Sequence, residues 1–166
     1  MILNRMEQVS RKVCNVLAVI SGVALTLMML LACANMFFRA VWVPVQGTFE
    51  LMGYLGAVVA SFALGISQIN KSHISVGLFF NSFPPLLQKI LDFLTLLVSC
   101  LFFLLCAREV FNWGSFVLDI GELSETLGIV YYPFVFAVAF GYLCIAFVLF
   151  MEMLRVFFEP QKTKRA

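Results

Sequence analysis

Four stretches of the chain stay uncharged long enough to predict membrane helices. Val13 to Phe38 is the first. At 1.5 Å rise per residue, about 20 residues cross a hydrocarbon core of roughly 30 Å, so this run spans with some excess for tilt. Leu51 to Ile69 is the second, with Glu50 at its entrance. Phe93 to Ala107 is the third, but as a helix it is only about 22 Å long. Extending it from Leu86 to Val110 restores the length. Asp92 and the Arg108-Glu109 pair then sit near the two interfaces, where long charged side chains can snorkel. Leu127 to Met151 is the fourth. The expected fold is an all-α integral membrane protein, one four-helix domain over residues 1–166, with spans at about 13–38, 50–69, 86–110 and 127–151.

The polar positions between these runs define the connections. Met1 to Lys12 carries Arg5, Arg11, Lys12 and Glu7 and reads as a short helix lying on the membrane surface. A signal peptide is the competing reading, since Leu30-Leu31-Ala32-Cys33 resembles a lipoprotein cleavage box. The apolar run is too long for that and continues past the cysteine. Arg39 to Phe49 is a short link with Trp42, Pro44 and Gly47. After the second span comes a polar turn, Gln68 to His73. An apolar stretch, Ile74 to Leu87, follows and is broken by Pro84-Pro85. It predicts an interfacial segment between helices 2 and 3; a tight loop with incidental apolar residues is the simpler alternative. Pro85 suits the first turn of the next helix. Asn112 to Thr126, with Gly114, Gly121, Asp119, Glu122 and Glu125, reads as a polar loop.

Composition agrees with this pattern. Of 166 residues, 63% are hydrophobic and 12% charged, with 19 Phe. Soluble domains carry about 25% charged residues, so a soluble fold is excluded. The net charge of +2 gives no case for a nucleic-acid partner. Cys14, Cys33, Cys100, Cys106 and Cys144 form no CxxC pair, and all lie within or beside apolar runs. They read as small hydrophobes rather than as metal ligands or disulfides.

Four spans place both termini on one side. If that side is the cytoplasm, Arg5, Arg11, Lys12, Lys71, Lys89, Arg155, Lys162, Lys164 and Arg165 lie there, against Arg39 and Arg108 outside. This is the positive-inside pattern. Trp42, Tyr54, Trp113, Tyr131 and Tyr132 then fall at the outer interface as an aromatic belt, with Lys71 and His73 anchoring the inner one.

Small residues let helix backbones approach closely in lipid. Gly53, Ala57, Ser61 and Gly65 make one row, Ala18, Gly22 and Thr26 a second, and Ala137 with Gly141 a third. Either these rows pack the chain's own helices or they dock another subunit. Glu50 complements the positive end of its helix, or pairs with Arg39 or a partner. His73 is the sole histidine. It suits an interface, with pH sensing as the sharper alternative, and alone it does not make a two-histidine haem site. Arg108-Glu109 reads as a self-paired interfacial couple or as part of a transport path. The chain has no Walker A sequence, no assembled triad and no charge at mid-span. These features argue against an enzyme and against a transporter coupling substrate to protons by itself. A homodimeric four-span exporter would need a Glu in its first span, which Val13 to Phe38 does not contain.

Two segments carry a resemblance. Glu50 to Leu78 combines an acid before the span, a Gly/Ala-rich helix and His73-Ile74-Ser75-Val76. Gly121 to Leu149 runs Ser124-Glu125-Thr126-Leu127-Gly128-Ile129 into Tyr132-Pro133 and a helix with Gly141. Together they resemble the small membrane (Q, DctQ-like) subunit of TRAP transporters, the tripartite ATP-independent periplasmic class. The chain departs from that family at Gly77, Gln68, Val130 and Ala139. The resemblance implies a bacterial inner-membrane location and two partners. One is a large, elevator-type membrane subunit that binds sodium and substrate, and the other a periplasmic binding protein delivering an organic acid of sialic acid or C4-dicarboxylate type. This chain is then expected to be a cofactor-free, non-catalytic scaffold.

Overall fold

Four helices form along the four apolar runs. The computed structural model describes residues 2–70 and 85–158. Helix α1 is Ile2–Val41, α2 is Thr48–Ile69, α3 is Pro85–Ile120 and α4 is Tyr132–Phe158. Each contains a stretch long and apolar enough to cross a membrane: Gln8–Val41, Thr48–Ile69, Ile90–Ile120 and Tyr132–Leu154. The chain is a multi-pass membrane protein. Lys71, His73, residues 74–84 of the interfacial stretch, Lys162, Lys164 and Arg165 lie outside the described residues.

Three boundaries differ from those the sequence suggests. The surface helix expected over Met1–Lys12 is continuous with the first span. Ser10 and Cys14 are already buried, and Cys14 Sγ lies 3.0 Å from where a Cβ on Gly65 would sit. Packing against α2 therefore starts before the charges end. The third helix does not stop at Val110 but runs ten residues further, through the segment read as loop. It ends at Gly121, in the left-handed region with φ 68°. There the Glu122 and Gly121 amides donate to the carbonyls of Val117 and Leu118, at 3.3 Å each. This is a Schellman ending, which glycine accommodates at little cost. The fourth helix starts at Tyr132 rather than Leu127. Residues 121–131 fold into a tight turn instead, with an isolated antiparallel bridge between Leu123 and Val130 and a second left-handed glycine, Gly128, at φ 63°. Pro133 sits in the first turn of α4, where its missing N–H costs nothing.

Packing follows from small residues on defined faces. On α1 the buried positions are Ser10, Cys14, Leu17, Ser21 and Ala24. Their alternating spacing of four and three is the seam of left-handed helix pairs, and all but Leu17 are small. The Ser21 hydroxyl donates to the Val59 carbonyl of α2 at 3.2 Å. The row Ala18, Gly22, Thr26 is not this seam. Gly22 has open space at its Cβ position, and Thr26 is exposed, donating only to the Gly22 carbonyl.

Helix α4 is the hub. Gly141 meets Ser61 and Phe62 of α2, while Leu17, Val58 and Phe62 form a core with Phe134, Ala137, Val138 and Cys144 packed on it. On its other side α4 holds α3. Gly114 of α3 lies against Val135 and Phe136, Phe111 contacts Phe136, and the Cys100 thiol donates to the Ala146 carbonyl. The spatial order is α1–α2–α4–α3, with a minor α1–α4 contact and at most a marginal one between α3 and α1 or α2. The helices make a curved row rather than a closed four-helix bundle. Tyr54 with Tyr131 at one end, and Gln68 with Glu152 at the other, set α2 parallel to α4. The Cys14–Gly65 and Phe111–Phe136 contacts set α1 and α3 antiparallel to them. Both ends of the described chain therefore sit at one end of the row, here the terminal end. The opposite, aromatic end carries Trp42, Trp113 and the α1–α2 and α3–α4 connections.

Candidate functional site at the aromatic end

Glu50 organises the aromatic end. It stands in the first turn of α2, where the free amides of a helix start favour an acid. Its carboxylate reaches out of the helix. The Thr126 amide donates to Oε1 at 2.7 Å and the Leu127 amide to Oε2 at 3.3 Å. One side chain thus ties the start of α2 to the α3–α4 turn. The turn is braced from within: the Ser124 amide donates to the Ile129 carbonyl at 2.9 Å, and the Ile129 amide to the buried Ser124 hydroxyl at 3.3 Å. Leu127 closes the latch by covering Gly47, the left-handed residue before α2.

The ion pair between Glu50 and Arg39 expected from the sequence is not formed. The two amides of the turn take the carboxylate instead, being held in place by the turn's own hydrogen bonds. Arg39, on the last turn of α1, is exposed, and its side chain bonds to no other described residue. Both residues nevertheless line one cavity of about 350 Å³, with Asn35, Pro44, Gln46 and Phe49.

Beside the latch lies an aromatic cluster. Tyr54 stacks on Tyr131, with centroids 5.5 Å apart and rings within 1° of parallel, and on Phe134 at 5.5 Å. Trp113 leans on Tyr131 at 6.1 Å, and Tyr132 meets Phe136 at 6.2 Å. Tyr131 and Val117 are buried together with Val135. Burial, and then the Glu122 carboxylate, push the Tyr131 phenol upward, so it stays neutral at ordinary pH. Trp42 is 83% exposed and Trp113 51%. The predicted belt residues therefore divide: Tyr131 is core and Tyr54 is half-buried against it, while the tryptophans remain free to meet a membrane interface.

The row Gly53, Ala57, Ser61, Gly65 also divides. Ser61 and Gly65 are buried, against Gly141 of α4 and Cys14 of α1 respectively. Gly53 has nothing within 4 Å of its Cβ position, and Ala57 is exposed. Four residues turn a helix by about 40° beyond a full circle, so the row rotates by about 120° from Gly53 to Gly65. Its terminal half packs the chain itself, and its aromatic half looks outward.

The latch has a direct check. Glu50→Ala leaves the Thr126 and Leu127 amides to water, so hydrogen exchange across residues 122–128 will accelerate. Glu50→Gln keeps one carbonyl acceptor and will fall between the alanine variant and the native chain. Equal exchange in all three proteins would show that the turn holds itself without Glu50.

A family model described as "Tripartite ATP-independent periplasmic transporters, DctQ component" matches residues 28–159. No curated protein and no solved structure matches the chain. The matched region takes in α2, α3, α4 and the latch between them, together with the last third of α1. The chain belongs to the DctQ component family, the small membrane subunits of tripartite ATP-independent periplasmic transporters.

Proposed function

We propose that the chain is a non-catalytic scaffold for the large, elevator-type membrane subunit of a sodium-coupled importer. Its substrate is an organic acid of the sialic acid or C4-dicarboxylate type, delivered by a periplasmic binding protein. Sodium and substrate bind the large subunit, and this chain carries no cofactor. It sits in a bacterial inner membrane with both termini in the cytoplasm, as the distribution of Lys and Arg supports.

The observation that carries the scaffold role is the open row. Helices one layer deep have no interior through which a solute passes, but they present a broad apolar flank. Helix α3 in particular leaves Leu94, Val98, Leu101, Phe102 and Leu105 exposed. Gly53 and Ala57 add a place on α2 where a second backbone can come close.

Ala57→Leu tests the assignment. Ala57 is exposed, so the isolated chain will unfold within about 0.5 kcal/mol of native, as surface substitutions do. Copurification with the large subunit and substrate uptake will both fall. Unchanged assembly and uptake would turn this face toward lipid. A purified chain with no affinity for any large subunit of its class would end the scaffold reading.

A further inference from the structure

We propose that the cavity between the end of α1 and the start of α2 holds the headgroup of a zwitterionic phospholipid carrying a primary ammonium. The proposal rests on the membrane fold and not on the transporter reading. Its starting point is a pair of opposite charges that share a cavity without meeting. Arg39 and Glu50 both line it, yet Glu50 is engaged by the amides of Thr126 and Leu127 and the Arg39 side chain is bonded to no described residue.

Neither charge is cancelled by an opposite one. The Thr126 and Leu127 amides and the hydroxyls of Ser124 and Thr126 hydrogen-bond the Glu50 carboxylate without neutralising it. That charge draws an ammonium, and the carbonyl end of α1 beside it favours positive charge as well. The guanidinium of Arg39 presents a planar fork matched to phosphate. Phosphate and ammonium are adjacent in an ethanolamine headgroup, and about 350 Å³ is room for one. Pro44 and Phe49 supply the apolar part of the lining, and Phe49 is 81% exposed, so acyl chains leave over an apolar rim. Trp42, three residues beyond Arg39 and 83% exposed, places the cavity at headgroup depth.

A lipid with a net negative head and no ammonium satisfies Arg39 but meets Glu50 unfavourably. A choline head carries its charge without N–H donors. The expected order is therefore phosphatidylethanolamine, then phosphatidylcholine, then phosphatidylglycerol.

Native mass spectrometry of the full chain, titrated with each lipid in detergent, reads this order. The chain will retain phosphatidylethanolamine about ten-fold more strongly than phosphatidylglycerol, the worth of one charge-assisted hydrogen bond. Arg39→Gln will lose the adduct of both lipids. Glu50→Gln will bring phosphatidylethanolamine down to the phosphatidylglycerol level. Since Glu50→Gln also loosens the latch, Leu127→Ala is the control: it disturbs the same turn, leaves the charges in place and will keep the preference. Equal retention of the two lipids by the native chain would overturn the proposal. So would native behaviour of Arg39→Gln, loss of preference in Leu127→Ala, or displacement by water-soluble glycerophosphoethanolamine at concentrations matching the lipid.

Discussion

Gly141→Leu will destabilise the detergent-solubilised chain by about 3 kcal/mol, the upper end of what overpacking costs. A Cβ at Gly141 falls 2.8 Å from Ser61 Cβ, 2.9 Å from Ser61 Oγ and 3.0 Å from Phe62 Cδ1. Ser61 Cβ is fixed to its backbone and does not swing aside, so the added side chain must push α2 away from α4. That contact joins the α1–α2 pair to the α4–α3 pair, since α1 touches α4 little and α3 makes at most marginal contact with α1 or α2. Parting α2 from α4 therefore leaves the two pairs joined mainly at the aromatic end, through the Glu50 latch. Hydrogen exchange should quicken along α2 and α4 together, while the α3–α4 contacts around Phe111 and Phe136 persist. Gly141→Ala will cost less, because a gain of about 1 kcal/mol in helix propensity offsets part of the clash. Ser61→Gly added to Gly141→Ala should restore most of the loss by removing the nearest atom. A thermal midpoint for Gly141→Leu equal to that of the native chain would show that the helices slide past each other freely, against the packing described here.

The same residue type one helix away behaves differently, and this marks how far the sequence was legible. Length and charge suffice to find four spans, because a run of about 20 uncharged residues has few other fates. The family is legible too, from the acid before the second span and the Ser124-Glu125-Thr126 stretch before the fourth. Where small residues pack is less legible. A row at every fourth position suggests one face, but it rotates along the helix, so Gly65 is inside and Gly53 outside. On α1 the true seam, Ser10, Cys14, Leu17, Ser21 and Ala24, alternates four and three and mixes residue types. The row with Gly22 catches the eye, yet Gly22 has no described neighbour within 4 Å of its Cβ position and Thr26 is exposed.

Boundaries fail for a different reason. Asn112, Gly114, Asp119 and Gly121 look like a loop, yet only Gly121 has loop geometry. Gly114 is a packing glycine under Val135 and Phe136, and Val117 nearby is fully buried. Polarity cannot separate a loop from a helix that has left the bilayer and still has one face to bury. Nor could the partner of Glu50 be read from charge. Arg39 was the obvious candidate, whereas the groups that bind Glu50 are backbone amides, which every residue but proline carries. Such partners become visible only once the turn is folded.

Gly47→Ala carries the second large effect, and it contains two costs that separate cleanly. Gly47 has φ 71° and ψ 5°, a left-handed conformation that costs other residues roughly 1–2 kcal/mol. Its Cβ position is also occupied by the Leu127 side chain, with Cδ1 and Cδ2 both at 2.6 Å. The substitution should destabilise the aromatic end by about 3 kcal/mol, taking strain and overpacking together. Leu127→Ala in the same chain removes the collision and leaves the strain, so about half the loss should return. Gly47→Asn does the reverse, because Asn tolerates the left-handed region but still meets Leu127. Thermal unfolding of the three variants, with hydrogen exchange across residues 122–128, gives the two shares independently. If Leu127→Ala restores nothing, the conformation of Gly47 alone sets the turn into α2. If it restores everything, Leu127 has been the whole constraint and the left-handed turn is free. The intermediate result is expected, because the start of α2 is fixed from both sides: by its own backbone at Gly47, and by the turn that Glu50 draws down upon it.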